Sequence, residues 1–183
     1  MSTLTVSNLQ GSTATANLVN MPSGHAMYYG GAIIQIQQTV KTDTFSAAPN
    51  GTWTDITGLS VSITPKKTSS RILIMVSVNG AGSGTTPKVR LLRGSTVIAA
   101  GDTSGSKQSG IMGSFLMKDT NQTDTYTSHF LDSPATTSST TYKMQLNNDN
   151  TQTVFINRSV SDQDNATGGR YISVITAMEI AVV

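Results

Sequence analysis

The chain has 183 residues, 37% of them hydrophobic and only 12% charged, with a formal net charge of +2 and no cysteine. That length is enough for one domain with a real core. The missing thiols exclude disulfide frameworks and thiolate metal sites, and a balance so near neutral gives no electrostatic footprint for nucleic acid. The charged fraction is about half the usual share, Glu179 is the only glutamate, and Ser and Thr fill the surface positions. Threonine suits a pleated strand, whereas Glu, Lys and Ala favour helices, so the composition predicts an all-β chain.

Residues 1–31 come first. Leu4, Val6 and Leu9 alternate with polar residues, and Leu18 and Val19 lie beyond a Gly-Ser-Thr stretch; Pro22, Gly24 and His25 then break the pattern. A segment this polar has too little apolar surface to order itself, so 1–31 is expected to be an attachment or oligomerisation arm preceding a sandwich over 32–183. Nothing in the first residues resembles a secretory signal, and no apolar run is long enough to cross a bilayer.

From residue 32 onward the apolar period is two. Leu59, Val61 and Ile63 are separated by Ser60 and Ser62, and after a turn the pattern resumes over 71–79. Further strands are expected near 32–40, 52–64 with an interruption, 87–93, 96–100, 110–117, 124–131, 140–147, 152–157 and 170–181. Gly94-Ser95 reads as a two-residue II′ hairpin turn. A second hairpin is expected at 148–150, bringing Tyr142, Met144 and Leu146 near Val154 and Ile156. In the last strand Ile172, Val174, Met178 and Ile180 share one face whose partners must come from a distant strand, which favours a jelly-roll-like β-sandwich.

Two glycine-rich loops are expected at 79–87 and 101–110. Asn79, Ser83 and Thr85 in the first, with Asp102, Ser104, Lys107 and Gln108 in the second, are the candidate receptor-facing residues, since binding surfaces sit on loops held by a rigid scaffold. No catalytic residues, cofactor or metal site are expected. Asp102-Thr-Ser-Gly105 is a poor copy of an aspartic-protease turn, whose chemistry needs a second carboxylate. His25 and His129 are too far apart for a triad, and Asp162, Asp164 and Asn165 lack the register of a calcium loop. Four Asn-X-Ser/Thr sequons, including Asn157-Arg-Ser159, arise by chance in such a composition.

The stretch from Thr57-Gly-Leu-Ser-Val-Ser-Ile63 to Arg71-Ile-Leu-Ile-Met-Val-Ser-Val-Asn79 resembles a segment recurrent in virion proteins of marine tailed phages, especially cyanophages. Leu91-Leu-Arg-Gly-Ser-Thr-Val-Ile98, Val154-Phe-Ile-Asn-Arg158 and Ile175-Thr-Ala-Met-Glu-Ile180 are similar to the same group, and Asn20-Met-Pro-Ser-Gly-His25 resembles the lead-in to a distal fibre domain. The resemblance implies a trimeric β-sandwich on the virion, assembled in the host cytoplasm. It implies a tail fibre or receptor-binding tip that meets a host-surface glycan or protein and docks on other virion proteins through Leu4, Val6, Leu9, Leu18 and Val19. A head decoration protein is the alternative, and a carbohydrate-binding module a more distant one; no nucleic-acid partner and no membrane insertion are expected.

Overall fold

The computed structural model describes residues 29–82, 86–113, 120–166 and 168–182. The arm residues Leu4, Val6, Leu9, Leu18 and Val19, together with His25, Ser83 and Thr85, lie outside the described residues.

Ten strands and no helix are present among the described residues: β1 (Ile33–Lys41), β2 (Phe45–Ala47), β3 (Thr54–Ile63), β4 (Arg71–Gly82), β5 (Lys88–Arg93), β6 (Thr96–Ile98), β7 (Asp124–Asp132), β8 (Thr140–Asn147), β9 (Val154–Ile156) and β10 (Ser173–Ile180). All pairings are antiparallel. In the first sheet β10 lies between β1 and β4, and β7 pairs with β4. Gly80 is in register with both Asp124 of β7 and Ile156 of β9, so these two strands flank opposite edges of β4. The short β9 therefore continues the lane of β10, and β2, paired to β9, continues the lane of β1. The sheet is thus four lanes wide, β1/β2, β10/β9, β4 and β7. The second sheet has the order β3-β8-β5-β6. Chain connections pass from one sheet to the other after β2, β3, β4, β6, β7 and β8, as in the eight-strand double Greek key of a jelly roll.

The core lies between the sheets. Ile72, Ile74, Val76 and Val78 of β4, with Val154, Ile156, Ile175 and Ala177 of the same sheet, face Leu59, Val61 and Ile63 of β3 and Val89, Leu91, Tyr142, Met144 and Leu146 of the second sheet. The expected interruption in β3 is an irregularity between Asp55 and Ser60, where Gly58 takes a φ of +81° that a side chain would resist. The expected turn at Gly94-Ser95 joins β5 to β6, with positive φ at Gly94 and not at Ser95.

Three expectations need correction. Residues 148–150 do not form a hairpin: β8 belongs to the second sheet and β9 to the first, so Val154 and Ile156 meet Tyr142 and Leu146 across the core. Asn79 is not in a loop, because β4 runs on to Gly82 with β7 and β9 pairing its two edges. Over residues 110–117 the only ladder contact among the described residues is a bridge between Met112 and Val89.

The final strand departs from the expectation in a way that matters below. Its inward positions are Ser173, Ile175, Ala177 and Glu179, as fixed by Ile175 opposite Val76 and Ala177 opposite Ile74. Val174, Thr176, Met178 and Ile180 consequently lie on the outer face of the first sheet, beside Leu73 and Met75 of β4, Ile36 and Val40 of β1, and Leu131 of β7. Glu179 is fully buried and is held by the amide of Lys66 at 2.7 Å and by Gln35 Nε2.

The outer face of the second sheet is different in character. Asp55 accepts hydrogen bonds from Lys143 Nζ at 2.7 Å and Gln145 Nε2 at 2.6 Å, while Gln145 Oε1 accepts from Arg90, whose guanidinium stacks 4.2 Å from the ring centre of Trp53. These hydrogen bonds, that of Lys143 first, hold the Asp55 carboxyl below the usual carboxylate range. A depressed folded-state pKa adds stability at neutral pH that disappears as pH falls through the acidic carboxylate range. Urea titrations of Asp55→Asn and the parent should therefore differ at pH 7 and converge in acid; a constant offset across that range would rule this linkage out.

Candidate functional site

The second glycine-rich loop stands at the end of the sandwich where β5 begins and β8 ends. Its base is fastened by backbone hydrogen bonds from Ile111 and Met112 to the carbonyl of Val89, at 2.9 and 3.3 Å, and from Gly101 to Gly110 at 3.3 Å. Near the tip, the amide of Lys107 donates to the carbonyl of Ser104 at 3.2 Å, and Gly105 has a φ of +59°. The loop is therefore a built feature rather than a loose connection.

Between this loop and the start of β5 runs a groove of about 400 Å³, lined by Lys88, Asp102, Lys107, Gln108, Ser109 and Met112 among others. Asp102, Ser104, Lys107 and Gln108 are exposed, and three of these four expected residues line one groove. Gln108 Oε1 accepts from Asn147 Nδ2 at 3.2 Å, and the same amide donates to the carbonyl of Gly51 at 3.0 Å, tying the loop to the end of β8 and to the turn that precedes β3. Lys88 Nζ donates to the Thr86 carbonyl at 3.1 Å and pairs with Asp149 at 3.7 Å. The described end of the first glycine-rich loop thus reaches the same rim through Thr86.

Asn79 belongs elsewhere. It is 3% exposed, its Nδ2 donates to Thr125 Oγ1 at 2.7 Å, and its amide donates to Ser173 Oγ at 3.0 Å. It fastens β4 to β7 and β10 and cannot face a receptor. Lys88 and Asn147 are the contributors that loop reasoning missed, because both sit on strands. The only signal for them is polarity at the ends of otherwise alternating runs.

Chemically, the groove offers two ammonium groups, one carboxylate, one side-chain amide and one hydroxyl. Such a surface hydrogen-bonds polar or weakly acidic ligands. No His lines it, and Asp102 has no second carboxylate beside it among the described lining residues. His129 is exposed on β7. Asp162, the first residue of the supposed calcium run, is clasped by Arg158 at 2.9 Å and Arg170 at 2.7 Å. Among the described residues no three His, Asp or Glu side chains converge as metal ligands would.

Gly110 decides whether the loop can be built at all. A Cβ placed there would lie 2.4 Å from the Val89 carbonyl oxygen, inside any tolerable contact with a backbone atom. Gly110→Ala should therefore displace the loop base from β5 at a cost of about 1–3 kcal/mol. Faster amide exchange at Ile111 and Met112 would report it, and unchanged exchange there would refute the clash.

No protein-family model matches the chain, and no curated protein is similar to it at a significant level.

Proposed function

We propose that this chain is a non-enzymatic structural protein of a tailed-phage virion, a homotrimer that serves as a short tail fibre or receptor-binding tip. The observation that carries the reading is a jelly-roll-like sandwich whose ionisable side chains are largely engaged in structural pairs, with a polar groove raised on a braced loop at one end. The resemblance of the 57–79, 91–98, 154–158 and 175–180 stretches to tailed-phage virion proteins supports it from the sequence side. In this reading Asp102, Ser104, Lys107 and Gln108 meet a host-surface glycan or protein, and the arm over 1–31 docks on other virion proteins.

A head decoration protein is the second reading. It is favoured by one observation, the broad and mainly apolar outer face of the first sheet, which suits lying against another protein surface. Gold-labelled antibody against the chain, applied to intact particles, separates the two: tail-end label is expected, head label would select decoration, and unlabelled particles would end both. Lys107→Glu combined with Gln108→Ala is expected to weaken attachment of the purified protein to host cells at least ten-fold while lowering its melting temperature by only about 2–4 °C, the cost of the lost hydrogen bond from Asn147. Undiminished attachment would remove the groove from receptor binding.

A further inference from the structure

The groove between the second glycine-rich loop and the start of β5 discriminates in charge, in the sense of its hydrogen bonds and in the nature of its floor. Its charges cancel. Lys88 and Lys107 line it with a single carboxylate, Asp102, but Lys88 is drawn back to the Thr86 carbonyl at 3.1 Å and to Asp149 at 3.7 Å. With Asp149 counted, two cations stand beside two anions, so an acidic ligand gains no net attraction over a neutral one.

The hydrogen-bonding sense is set from underneath. Asn147 is 1% exposed, and its Nδ2 donates to the Gly51 carbonyl, a backbone acceptor that cannot exchange roles. That bond holds the Asn147 amide in one orientation, and because the same Nδ2 meets Gln108 Oε1, the Gln108 amide is fixed in turn. Its Nε2, which only donates, is left for a ligand, whereas the Asp102 carboxylate on the same lining accepts. A ligand that satisfies both carries a carbonyl oxygen and hydroxyl hydrogens. The floor is aliphatic: Met112 is 8% exposed, Ile111 packs on the core, and the amides of both are bonded to the Val89 carbonyl. No aromatic ring is present among the described lining residues, so a sugar has no flat face to stack on, and what the floor accommodates is a methyl group.

We propose that the groove takes a neutral glycan through an N-acylated amino-sugar residue. The acyl methyl rests on Ile111 and Met112, the acyl carbonyl accepts from Gln108 Nε2, and ring hydroxyls donate to Asp102. Size agrees with this occupant. A volume of about 400 Å³ is at the small end of ligand pockets and holds about two sugar rings, whereas a specific protein partner needs about 800 Å² of surface on each side. The inference deepens the receptor-binding reading and rests on it only for where the sugar is met.

The full chain, labelled with nitrogen-15, is titrated with the methyl glycosides of N-acetylglucosamine, N-acetylgalactosamine and N-acetylmannosamine, of the matching hexoses and of the matching uronic acids. At least one N-acetylated sugar should bind about ten-fold tighter than both its hexose and its uronic acid and should shift the amide signals of Ile111 and Met112. Gln108→Glu keeps the acceptor for Asn147 but exchanges the free donor for an acceptor, and it should weaken that sugar about ten-fold. Asp102→Asn, at an exposed position, should weaken it as well. Equal or tighter binding of a uronic acid would overturn the proposal. So would a panel in which nothing binds, shifts confined to residues outside the groove, or an affinity indifferent to Gln108→Glu. Host-cell attachment that is lost in the Lys107→Glu, Gln108→Ala protein while the panel fails would leave the receptor-binding reading intact and sink the sugar class, and loss of attachment after protease treatment of the cells would name a protein receptor instead. A panel that behaves as expected, combined with label on heads or with unlabelled particles, would sink the tail-tip reading and leave the sugar site standing.

Discussion

Asn157→Ala is expected to destabilise the protein by about 4 kcal/mol, the sum of several buried polar groups left unpaired and a strained backbone. Asn157 is fully buried, and its Nδ2 donates to the carbonyls of Lys41 and Asp43, both at 2.9 Å, at the break between β1 and β2. Its Oδ1 accepts from Ser173 Oγ at 2.7 Å, and its own amide donates to the Asn79 carbonyl at 3.0 Å. The Asn157 side chain thus ties the β1/β2 lane to the β10/β9 lane where β9 gives way to β10, and the backbone amide adds the β4 lane. Its φ of +64° lies in the left-handed region, which asparagine tolerates better than alanine. The predicted loss corresponds to a fall in melting temperature of about 8–16 °C for a chain of this size. Asn157→Gly should recover about 1 kcal/mol relative to alanine, because it relieves the backbone while still lacking the hydrogen bonds. Urea denaturation of the three proteins measures both quantities. A loss below 1 kcal/mol for the alanine variant would show that the joint between the lanes is held by other contacts. The burial also means that the Asn157-Arg-Ser159 sequon cannot carry a glycan on the folded chain.

Asp132→Ala should cost about 3 kcal/mol, near the lower limit for breaking a buried ion pair because Arg93 retains partial access to water. Asp132, at the end of β7, accepts from Arg93 Nη1 at 2.8 and 2.9 Å and from the Tyr142 hydroxyl at 2.7 Å. The carboxylate is 6% exposed as a residue and the Arg93 side chain 32% exposed. Burial first, and the adjacent carboxylate second, push the Tyr142 phenol well above its ordinary range, so it remains a donor at any pH the protein meets. Removing Asp132 strands a hydroxyl in the core and a guanidinium near it, and separates the edge strand of one sheet from the two strands of the other that it contacts. Tyr142→Phe takes away only one hydrogen bond and should cost about 1 kcal/mol. If chemical denaturation gives the two variants equal losses, the ion pair adds nothing and the tyrosine bond is the whole contact.

Some positions announce their place directly. Ile72, Ile74, Val76 and Val78 alternate with Leu73, Met75 and Ser77, and Leu59, Val61 and Ile63 alternate with serines, so strand character and the inward face of β3 follow from local pattern. Gly94 marks its turn because the conformation required there is one that other residues avoid. In the candidate groove, Asp102, Lys107 and Gln108 are legible as loop residues, whereas Lys88 and Asn147 join them only because β5 and β8 end at the same rim. Asn79 misleads because the Asn-Gly-Ala-Gly run has poor strand propensity. Pairing on both edges holds it extended all the same.

The amino-acid order alone determined an all-β chain, the places where most of its strands run and the scarcity of charge, since each depends on side-chain period and composition within a few neighbouring residues; the unexpected short β2 and the missing strand over 110–113 show where that local signal fails. It could not decide which side of β10 is inside. Val174, Met178 and Ile180 are as apolar as Ile175 and Ala177, and the polar Ser173 and Glu179 sit on the inward side. That choice was made by register against β4, which sets Ile175 opposite Val76 and Ala177 opposite Ile74 and turns the larger apolar row outward. A two-residue period separates the faces of a strand, but only the neighbouring lane, brought in from a hundred residues away, says which of them the core will cover.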